Sequence, residues 1–135
     1  MSNIEQTLSI IKPDAVERNL TENIKSFFEK NNLKISKSKK VKISKEEAND
    51  FYKVHESKPF YNDLCEYLSS GPIVVMILEG ENAILKNREL MGATDPLKAK
   101  EGTLRKRYGV SIDKNSVHGS DSLENSKKEI GFFFK

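Results

Sequence analysis

One stretch limits the fold more than any other part of this chain. Ile73-Val74-Val75-Met76-Ile77-Leu78 is apolar without interruption and follows the turn-forming residues Ser70-Gly71-Pro72. It is too short to span a membrane. A strand with one solvated face alternates polar and apolar residues, whereas a strand buried on both faces does not. The stretch therefore predicts a strand that is buried on both faces.

Three further segments carry strand patterns. Residues 7–11 alternate and then run apolar, and Pro13 ends that strand because it has no N–H to donate. Lys12 stands at the strand's end, where binding sites are common. Val117 lies in a short last strand. Residues 33–43 alternate between polar and apolar positions. One predicted face carries lysines, and the other carries Leu33, Ile35, Val41 and Ile43.

Helix patterns fill the intervals between these strands. Ser44 and Glu47 form a capping box, and the helix that they start is predicted to run through His55. Helices are predicted to begin at Thr21, Ser44, Pro59-Phe60, residues 81–83, and Ser120 or Ser122. The order strand, helix, strand, helices, strand, helix, strand, helix indicates the α+β class, with helices packed on one sheet.

The bulk properties indicate one globular domain. A length of 135 residues suits a single domain over residues 1–135, and 36% hydrophobic with 32% charged residues is typical of a globular protein. The sequence shows no signal peptide and no apolar run of membrane-spanning length. Cys65 is the only cysteine and cannot form an internal disulfide, which suits a reducing compartment. We therefore expect a cytoplasmic protein.

Basic residues are plentiful, but arginine is rare. The net charge is +3, and only four of the 23 Lys and Arg residues are arginines, at positions 18, 88, 105 and 107. Because the planar guanidinium donates a fork of hydrogen bonds that suits phosphate, each arginine is either a candidate phosphate ligand or a solvated helix residue. Six lysines between Lys34 and Lys45 allow two interpretations. They form a nucleic-acid patch or a solvent-facing strand protected by charge, and the second interpretation is favoured.

The segment Asn115–Asp121 concentrates the residue types that chemistry requires. Imidazole titrates close to neutral pH, so His118 is a candidate nucleophile, base or metal ligand. Gly119 lets the backbone or a substrate approach the ring, and Ser120 and Asp121 supply a hydroxyl and a carboxylate. A histidine before a glycine is more often structural, so the rest of the chain decides the assignment.

Several motifs match one protein family in order and spacing. They are Ile11-Lys12-Pro13-Asp14, HESKPFY at 55–61, Ser70-Gly71-Pro72, Met91–Pro96, Gly102-Thr103-Leu104-Arg105 and NSVHGSD at 115–121. Through these motifs the sequence resembles the nucleoside diphosphate kinases over nearly its whole length. The resemblance implies a ferredoxin-like βαββαβ sandwich with an antiparallel four-stranded sheet, which agrees with the predicted order of elements.

The resemblance also implies a reaction. Members of this family move the γ-phosphoryl group of a nucleoside triphosphate onto a histidine and then onto a nucleoside diphosphate, in a ping-pong mechanism. His118 matches the nucleophile, and Ser120 and Glu129 match a pair that orients its ring. A neutral imidazole nitrogen attacks phosphorus without a separate base. Most of the catalysis is therefore expected from positioning and charge stabilisation.

Further residues match the nucleotide contacts of the family by position. Contacts to phosphate and sugar are implied for Lys12, Tyr52, Arg88, Thr94 and Arg105. Two arginines, a lysine and a hydroxyl suit the oxygens of a transferring phosphoryl group. Asn115, together with Lys12, matches the residues that bind the ribose hydroxyls.

The resemblance places the base and the metal as well. Phe60 matches the aromatic residue that stacks on the base, and Leu64 and Ile112 line the same slot. Because these side chains have no hydrogen-bonding groups, broad base specificity is expected. Mg²⁺ is expected to arrive with the nucleotide, held by phosphates and water. Asp121 is expected to reach it through water, and Asp14 is a weaker candidate.

The family also suggests partners, and the sequence departs from it in places. Nucleoside triphosphates and diphosphates are the expected ligands, and a homo-oligomer, hexamer or tetramer, is the expected assembly, with no membrane association. Residues 19–22 lack the glycines that the family often has there, and Asp95 replaces a more usual Asn beside Thr94. A carboxylate pointing inward at that position would weaken phosphate binding.

Two other classes of function stay open at this point. A nucleic-acid-binding module is supported by the lysines and by the ferredoxin-like layout of RNA-recognition domains. However, residues 33–43 contain no aromatic side chain on which a base could stack, so nucleic acid is not expected as the main ligand. A catalytically silent homologue is the other class, and the intact His118 argues against it.

Overall fold

The strands form one antiparallel sheet in the computed structural model, which describes residues 4–111 and 114–134. Its strands are β1 (Ile4–Ile11), β2 (Lys34–Val41), β3 (Ile73–Glu81) and β4 (Val117–Gly119). Their spatial order is β2-β3-β1-β4, and every neighbouring pair is antiparallel. This arrangement is the predicted ferredoxin-like α+β sandwich.

Helices cover both faces of this sheet. Those of the described residues are α1 (Pro13–Glu17), α2 (Thr21–Lys30), α3 (Lys45–Phe51), α4 (Tyr61–Leu68), α5 (Ala83–Met91), α6 (Leu104–Tyr108) and α7 (Leu123–Phe133). One apolar cluster joins the sheet to α1, α2, α5 and α6, and a second joins it to α3, α4 and α7. The sheet therefore has a buried layer on each side.

β3 is buried on both faces, as its apolar sequence predicts. It pairs with β1 on one side and β2 on the other, and residues 73–78 are all buried. Alternate side chains enter different clusters, because successive residues of a strand point to opposite faces. Val74, Met76 and Leu78 join the first cluster, whereas Ile73 and Val75 join the second.

β2 departs from the strict alternation predicted for it. Its register with β3 shifts between Ile35 and Lys37, so Ser36 is an extra residue in a β-bulge. An extra residue reverses the phase of a strand, and side chains beyond it point to the other face. The prediction that four apolar residues share one face is therefore wrong. Two pairs pack against different clusters, Leu33 with Ile35 and Val41 with Ile43.

β2 is an edge strand of the sheet, and most of its side chains are exposed. Lysines on such an edge oppose unwanted strand pairing. The favoured interpretation of the lysine-rich segment as a solvent-facing strand is confirmed for this chain. Lys39 is also a packing residue, because its ammonium donates to the carbonyl of Phe133 and lies 4.9 Å from the ring of Phe134.

The helix boundaries follow local chemistry, with small shifts from prediction. The capping box of Ser44 and Glu47 is present in both directions. The helix that it starts ends at Phe51 instead of running through His55, which lies in a short 3₁₀ turn. α4 begins at Tyr61, one residue after Phe60. Of the two serines predicted to cap the last helix, Ser122 does so, by accepting from the backbone N–H of Asn125.

The environment of Cys65 and the lengths of the helices bear on two further expectations. Cys65 is a free, buried thiol on α4, as an apolar role predicts. Within the described residues, no helix combines the length and the apolar character that crossing a membrane requires.

Candidate active site

His118 lies in the middle of β4, opposite Ile10 of β1. Its Nε2 is 2.8 Å from Oε1 of Glu129 on α7, and the Ser120 hydroxyl donates to the same oxygen at 3.0 Å. An ionised carboxylate only accepts hydrogen bonds, so Nε2 carries the proton in this arrangement. Nδ1 then holds the lone pair. The structure brings together the three residues predicted to form the catalytic centre.

Aromatic rings surround the imidazole. Phe51 lies edge-on to it with ring centroids 5.4 Å apart, and Tyr52 does so at 6.2 Å. Burial, and secondarily the charge of Glu129, raises the pKa of the Tyr52 phenol, which therefore stays protonated at neutral pH. Its hydroxyl has no hydrogen-bond partner among the described residues. Tyr52 is thus a buried donor beside the histidine.

A cleft of about 260 Å³ opens beside the His118 ring. The end of α3 and one side of α7 form its walls, and Asp121 and Asn125 stand at its margin. Phe51, in this wall, was not predicted as a site residue. An aromatic residue in the apolar stripe of a helix carries no sequence signal that separates it from ordinary core.

Arg105 is a buried cation next to the same strand. Its guanidinium donates to the carbonyl of Gly92 at 3.1 Å and to the carbonyl of Val117 at 2.9 Å. The Nε–H has no partner among the described residues. Burial lowers the pKa of Arg105 to about 10, with Tyr52 opposing the shift and the charge of Arg88 adding to it. The group is still charged at neutral pH.

A second depression, of about 270 Å³, is shared by Arg88, Thr94 and Arg105. The ion pairs found among the described residues include neither arginine. Glu89 also lines this depression, but no ion pair among the described residues joins it to either arginine. The two neighbouring cations repel each other, and an anion between them reduces that repulsion. The arrangement suits a bound phosphate chain.

Lys12 and Asn115 form a buried polar pair. Nζ of Lys12 donates to Oδ1 of Asn115 at 2.8 Å, and the Asn115 amide donates to the carbonyl of Thr94 at 3.0 Å. Lys12 is 5% exposed at the end of β1, and Asn115 is 2% exposed just before β4. Three predicted nucleotide contacts, distant in the sequence, therefore meet in one place.

A row of rings leads away from His118 toward the surface. The Tyr52 and His55 rings are 6.2 Å apart, and the His55 and Phe60 rings are 5.9 Å apart. Phe60 is 46% exposed, and Leu64 is half-buried on the following helix. Ile112, the third residue predicted to contact the base, lies outside the described residues.

The acidic residues near the site have different surroundings. Asp121 is exposed on the cleft and accepts from the Asn125 amide at 2.6 Å. Asp95 accepts from the N–H of Leu97 at 3.0 Å, so its carboxylate serves a local turn. Asp14 is buried and hydrogen-bonded to Ser116 and Arg18, which makes it unsuited to a metal. No three acidic, histidine or cysteine side chains of the described part of the chain assemble as metal ligands.

This fold and this site define a class of protein. A histidine oriented by a carboxylate, with the buried Arg105 guanidinium bound to the carbonyl of the preceding Val117, suits a protein that passes an anionic group through an imidazole. Comparison with known proteins identifies the family. Residues 5–135 match the family model described as nucleoside diphosphate kinase. The chain belongs to the nucleoside diphosphate kinase family.

Individual relatives cover nearly the whole chain. A nucleoside diphosphate kinase of a Nitratiruptor species is 60% identical over 131 residues, which are 97% of this chain and 96% of the relative. One from Campylobacter jejuni is 60% identical over 132 residues, 98% of this chain and 96% of the relative. The crystal structure of the Aquifex aeolicus enzyme superposes with a TM-score of 0.96 at 39% identity, covering 98% of this chain and 96% of that one.

Proposed function

We propose that His118 is the residue phosphorylated during catalysis, with Nδ1 as the attacking atom. The observation that carries this proposal is the Nε2–Glu129 contact of 2.8 Å. In this contact Nε2 carries a proton and donates a hydrogen bond to the carboxylate. Nδ1 therefore keeps a lone pair that can attack phosphorus. Developing positive charge on the ring is stabilised by the same carboxylate.

The activity itself follows from the family. As a nucleoside diphosphate kinase, the chain is a phosphotransferase that moves a phosphoryl group between nucleotides through a phosphohistidine intermediate. In the proposed first step, the N–P bond forms as the bond from the γ-phosphorus to the β,γ-bridging oxygen breaks. The diphosphate leaves with that oxygen. A second diphosphate then attacks the phosphohistidine with its terminal oxygen, and the imidazole is regenerated.

The charge of the transferring group is assigned to the residues around the second depression. Arg88, Arg105 and Thr94 line it together, and the buried phenol of Tyr52 is a donor near His118. Donors that are already in place stabilise the transition state without reorganisation, which is the main source of catalysis in phosphoryl transfer. Lys12 contributes a further cation at the end of β1.

The sugar is assigned to buried polar side chains, and the base is assigned to an exposed aromatic ring and the helix that follows it. Lys12 and Asn115 present a buried ammonium and amide to the ribose hydroxyls, for which a 3′-hydroxyl is the proposed partner. Phe60 offers an exposed aromatic face, and Leu64 lies on the helix that follows it. An aromatic face accepts any base, so broad base specificity is proposed. Ile112 completes the base slot in this proposal.

Mg²⁺ is proposed to accompany the nucleotide. Asp50 and Asp121 are exposed carboxylates on the cleft that contains His118, and the family resemblance singles out Asp121. One carboxylate suits a cation that keeps phosphates and water as its other ligands. When bound, the cation neutralises phosphate charge. The described residues supply no complete cage for it, which agrees with a metal carried by the substrate.

Assembly and location complete the proposal. We propose a homo-oligomer, hexamer or tetramer, as in the family that the sequence resembles. A cytoplasmic location is proposed from the free, buried Cys65, because a reducing compartment leaves such a thiol unmodified.

Labelling with γ-labelled ATP in the absence of an acceptor tests the nucleophile. The parent protein should take up acid-labile, base-stable label that a nucleoside diphosphate removes. His118→Ala should take up none, while nucleotide affinity stays within about twofold because the proposed phosphate contacts lie elsewhere. His55→Ala should still form the labelled intermediate. Exchange between labelled ATP and ADP retained in His118→Ala would overturn the assignment.

A further inference from the structure

A polar cluster built around a buried carboxylate adjoins the Lys12–Asn115 pair and has no role in the mechanism proposed above. We name it the Asp14 cluster. It consists of Asp14, Arg18, Tyr67 and Ser116. Asp14 is 7% exposed and Ser116 is fully buried. A carboxylate at this depth is retained in a protein only with several donors around it.

The donors to Asp14 come from separate parts of the chain. Its Oδ2 accepts from the Ser116 hydroxyl at 2.7 Å and from the Arg18 guanidinium at 3.0 Å. Its Oδ1 accepts from the Tyr67 hydroxyl, which in turn accepts from the Asp14 backbone N–H at 2.9 Å. Burial, followed by the Asp14 carboxylate, raises the pKa of Tyr67, so the phenol keeps its proton and remains a donor.

Ser116 is held in an uncommon backbone conformation. Its φ of 73° lies in the left-handed region, which residues other than glycine seldom adopt. The hydrogen bond to Asp14 fixes its side chain, and its carbonyl accepts from the backbone N–H of Lys12 at 2.8 Å. Such a conformation persists only where the surrounding contacts determine it. Here those contacts are the Asp14 cluster and the Lys12 backbone.

The cluster therefore joins the two segments that carry the sugar-binding pair. Asp14 lies two residues after Lys12, and Ser116 directly follows Asn115. The hydrogen bond between Asp14 and Ser116 holds these two segments at the separation over which the ammonium and the amide of the pair meet. A shift of the Ser116 backbone would separate the pair or rotate the amide.

We propose that Asp14 and Ser116 are positioning residues that set the discrimination for the ribose 3′-hydroxyl, by fixing Lys12 and Asn115 relative to each other. This inference rests on the proposed function, which assigns the sugar to that pair. A misplacement of about 1 Å costs an enzyme up to roughly a hundredfold in rate, so loss of a fixed geometry is measurable. The effect should fall on the substrate that has the hydroxyl.

The test compares kcat/KM for ATP with kcat/KM for 3′-deoxy-ATP in the full-length protein. Ser116→Ala removes one donor to Asp14 and should lower the ratio of the two values by about tenfold, mainly through the ATP value. Tyr67→Phe should lower the same ratio by less, because it keeps the Ser116–Asp14 hydrogen bond that joins the two segments. A purely structural role would lower both values equally and leave the ratio unchanged.

Ser126→Ala is the matched control. Ser126 is a buried serine on α7 whose hydroxyl donates to the carbonyl of Gln6 at 2.6 Å, outside the Asp14 cluster. Loss of this hydroxyl should lower the free energy of unfolding and leave the ratio of the two kcat/KM values unchanged. Ser116→Gly covers the case in which the alanine variant does not fold, because glycine adopts positive φ readily and also lacks the hydroxyl.

Three outcomes separate this inference from the proposed function. A parent protein that forms no phosphohistidine overturns the proposed function and the inference with it. An active parent with the parental ratio retained in Ser116→Ala or Ser116→Gly overturns only the inference. An active parent that does not distinguish ATP from 3′-deoxy-ATP overturns the proposed assignment of the 3′-hydroxyl to Lys12 and Asn115, and with it the inference that rests on that assignment.

Discussion

At the scale of single residues, the two nitrogens of His118 have different environments. Nε2 is bound to a carboxylate that also accepts from Ser120, and the ring lines the cleft. The family resemblance implied this trio; no local pattern did, because Glu129 lies 9 and 11 residues beyond Ser120 and His118 and outside the motif that contains them. The supporting contacts of Asp14 were not predicted, since its partners Tyr67 and Ser116 are 53 and 102 residues away. Local patterns carry no information on such pairs.

Glu129→Gln tests the orientation of the ring. The amide keeps the shape but loses the charge, and its NH₂ group can donate to Nε2 and stabilise the wrong tautomer. Phosphohistidine formation in a single turnover should slow by on the order of 10²-fold, with nucleotide affinity little changed. Glu124→Gln is the control, because Glu124 lies on the same helix in an exposed pair with Lys128. Equal rates in Glu129→Gln and the parent would contradict this role.

Arg105→Lys tests the need for a fork of donors. A lysine supplies one point charge and cannot reach Gly92, Val117 and a phosphate together. We expect kcat to fall by about 10²-fold, or ~3 kcal/mol of transition-state stabilisation. Arg107→Lys, at an exposed position on α6, should behave as the parent. Steady-state kinetics of both variants measure the change in kcat. Parental activity in Arg105→Lys would show that bidentate recognition is not the role of this residue.

At the scale of elements, the docking of α5 on β4 places Arg88 beside the site. A Cβ at Gly119 would lie 2.2 Å from the Asn87 amide and 2.8 Å from the Met91 side chain. Glycine therefore permits the close approach of this helix. The sequence predicts α5 and β4 as elements from their patterns, but it does not predict their separation. The bulge at Ser36 was not predicted either, because the register of β2 depends on its pairing with β3 and not on local sequence alone.

Gly119→Ala should push α5 away from β4. We expect a loss of about 1–3 kcal/mol in the free energy of unfolding, as for other overpacked sites, together with reduced activity because Arg88 moves with the helix. Gly131→Ala is the contrasting variant. Among the described residues, no atom outside the neighbouring residues and the backbone of α7 lies within 4 Å of a Cβ at that position, so alanine should stabilise the helix by ~0.5–1 kcal/mol. Urea unfolding of both variants checks the signs, and a neutral Gly119→Ala would refute the close contact.

At the scale of the whole molecule, the order of elements along the chain was predictable because several boundaries carry local chemistry, whereas the ferredoxin-like topology was implied by the family resemblance. Pro13 ends β1, the Ser44 and Glu47 box starts α3, and Gly71 precedes β3. Alternating strand and helix patterns leave few topologies, and the chain adopts the ferredoxin-like one.

The turn after α1 lacks the glycine that the family often has there. Asn19 adopts the left-handed conformation in that turn, with a φ of 60°. Asparagine tolerates that region better than most residues.

Association of several copies is the prediction at this scale. Light scattering of the purified protein should give a mass of four or six times the 15.4 kDa of one chain. Oligomers commonly have closed symmetry, so a single sharp species is expected. A fully active protein with the mass of one chain would contradict the proposed assembly.

The central claim is that Nδ1 of His118 carries the phosphoryl group. Phosphorus and nitrogen NMR of protein treated with ATP, without acceptor, locates the adduct on a particular ring nitrogen. We predict a single phosphohistidine, at Nδ1 of His118, that disappears when a nucleoside diphosphate is added. A phosphoryl group on Nε2, on His55 or on a serine, or an adduct that no diphosphate discharges, would contradict the account.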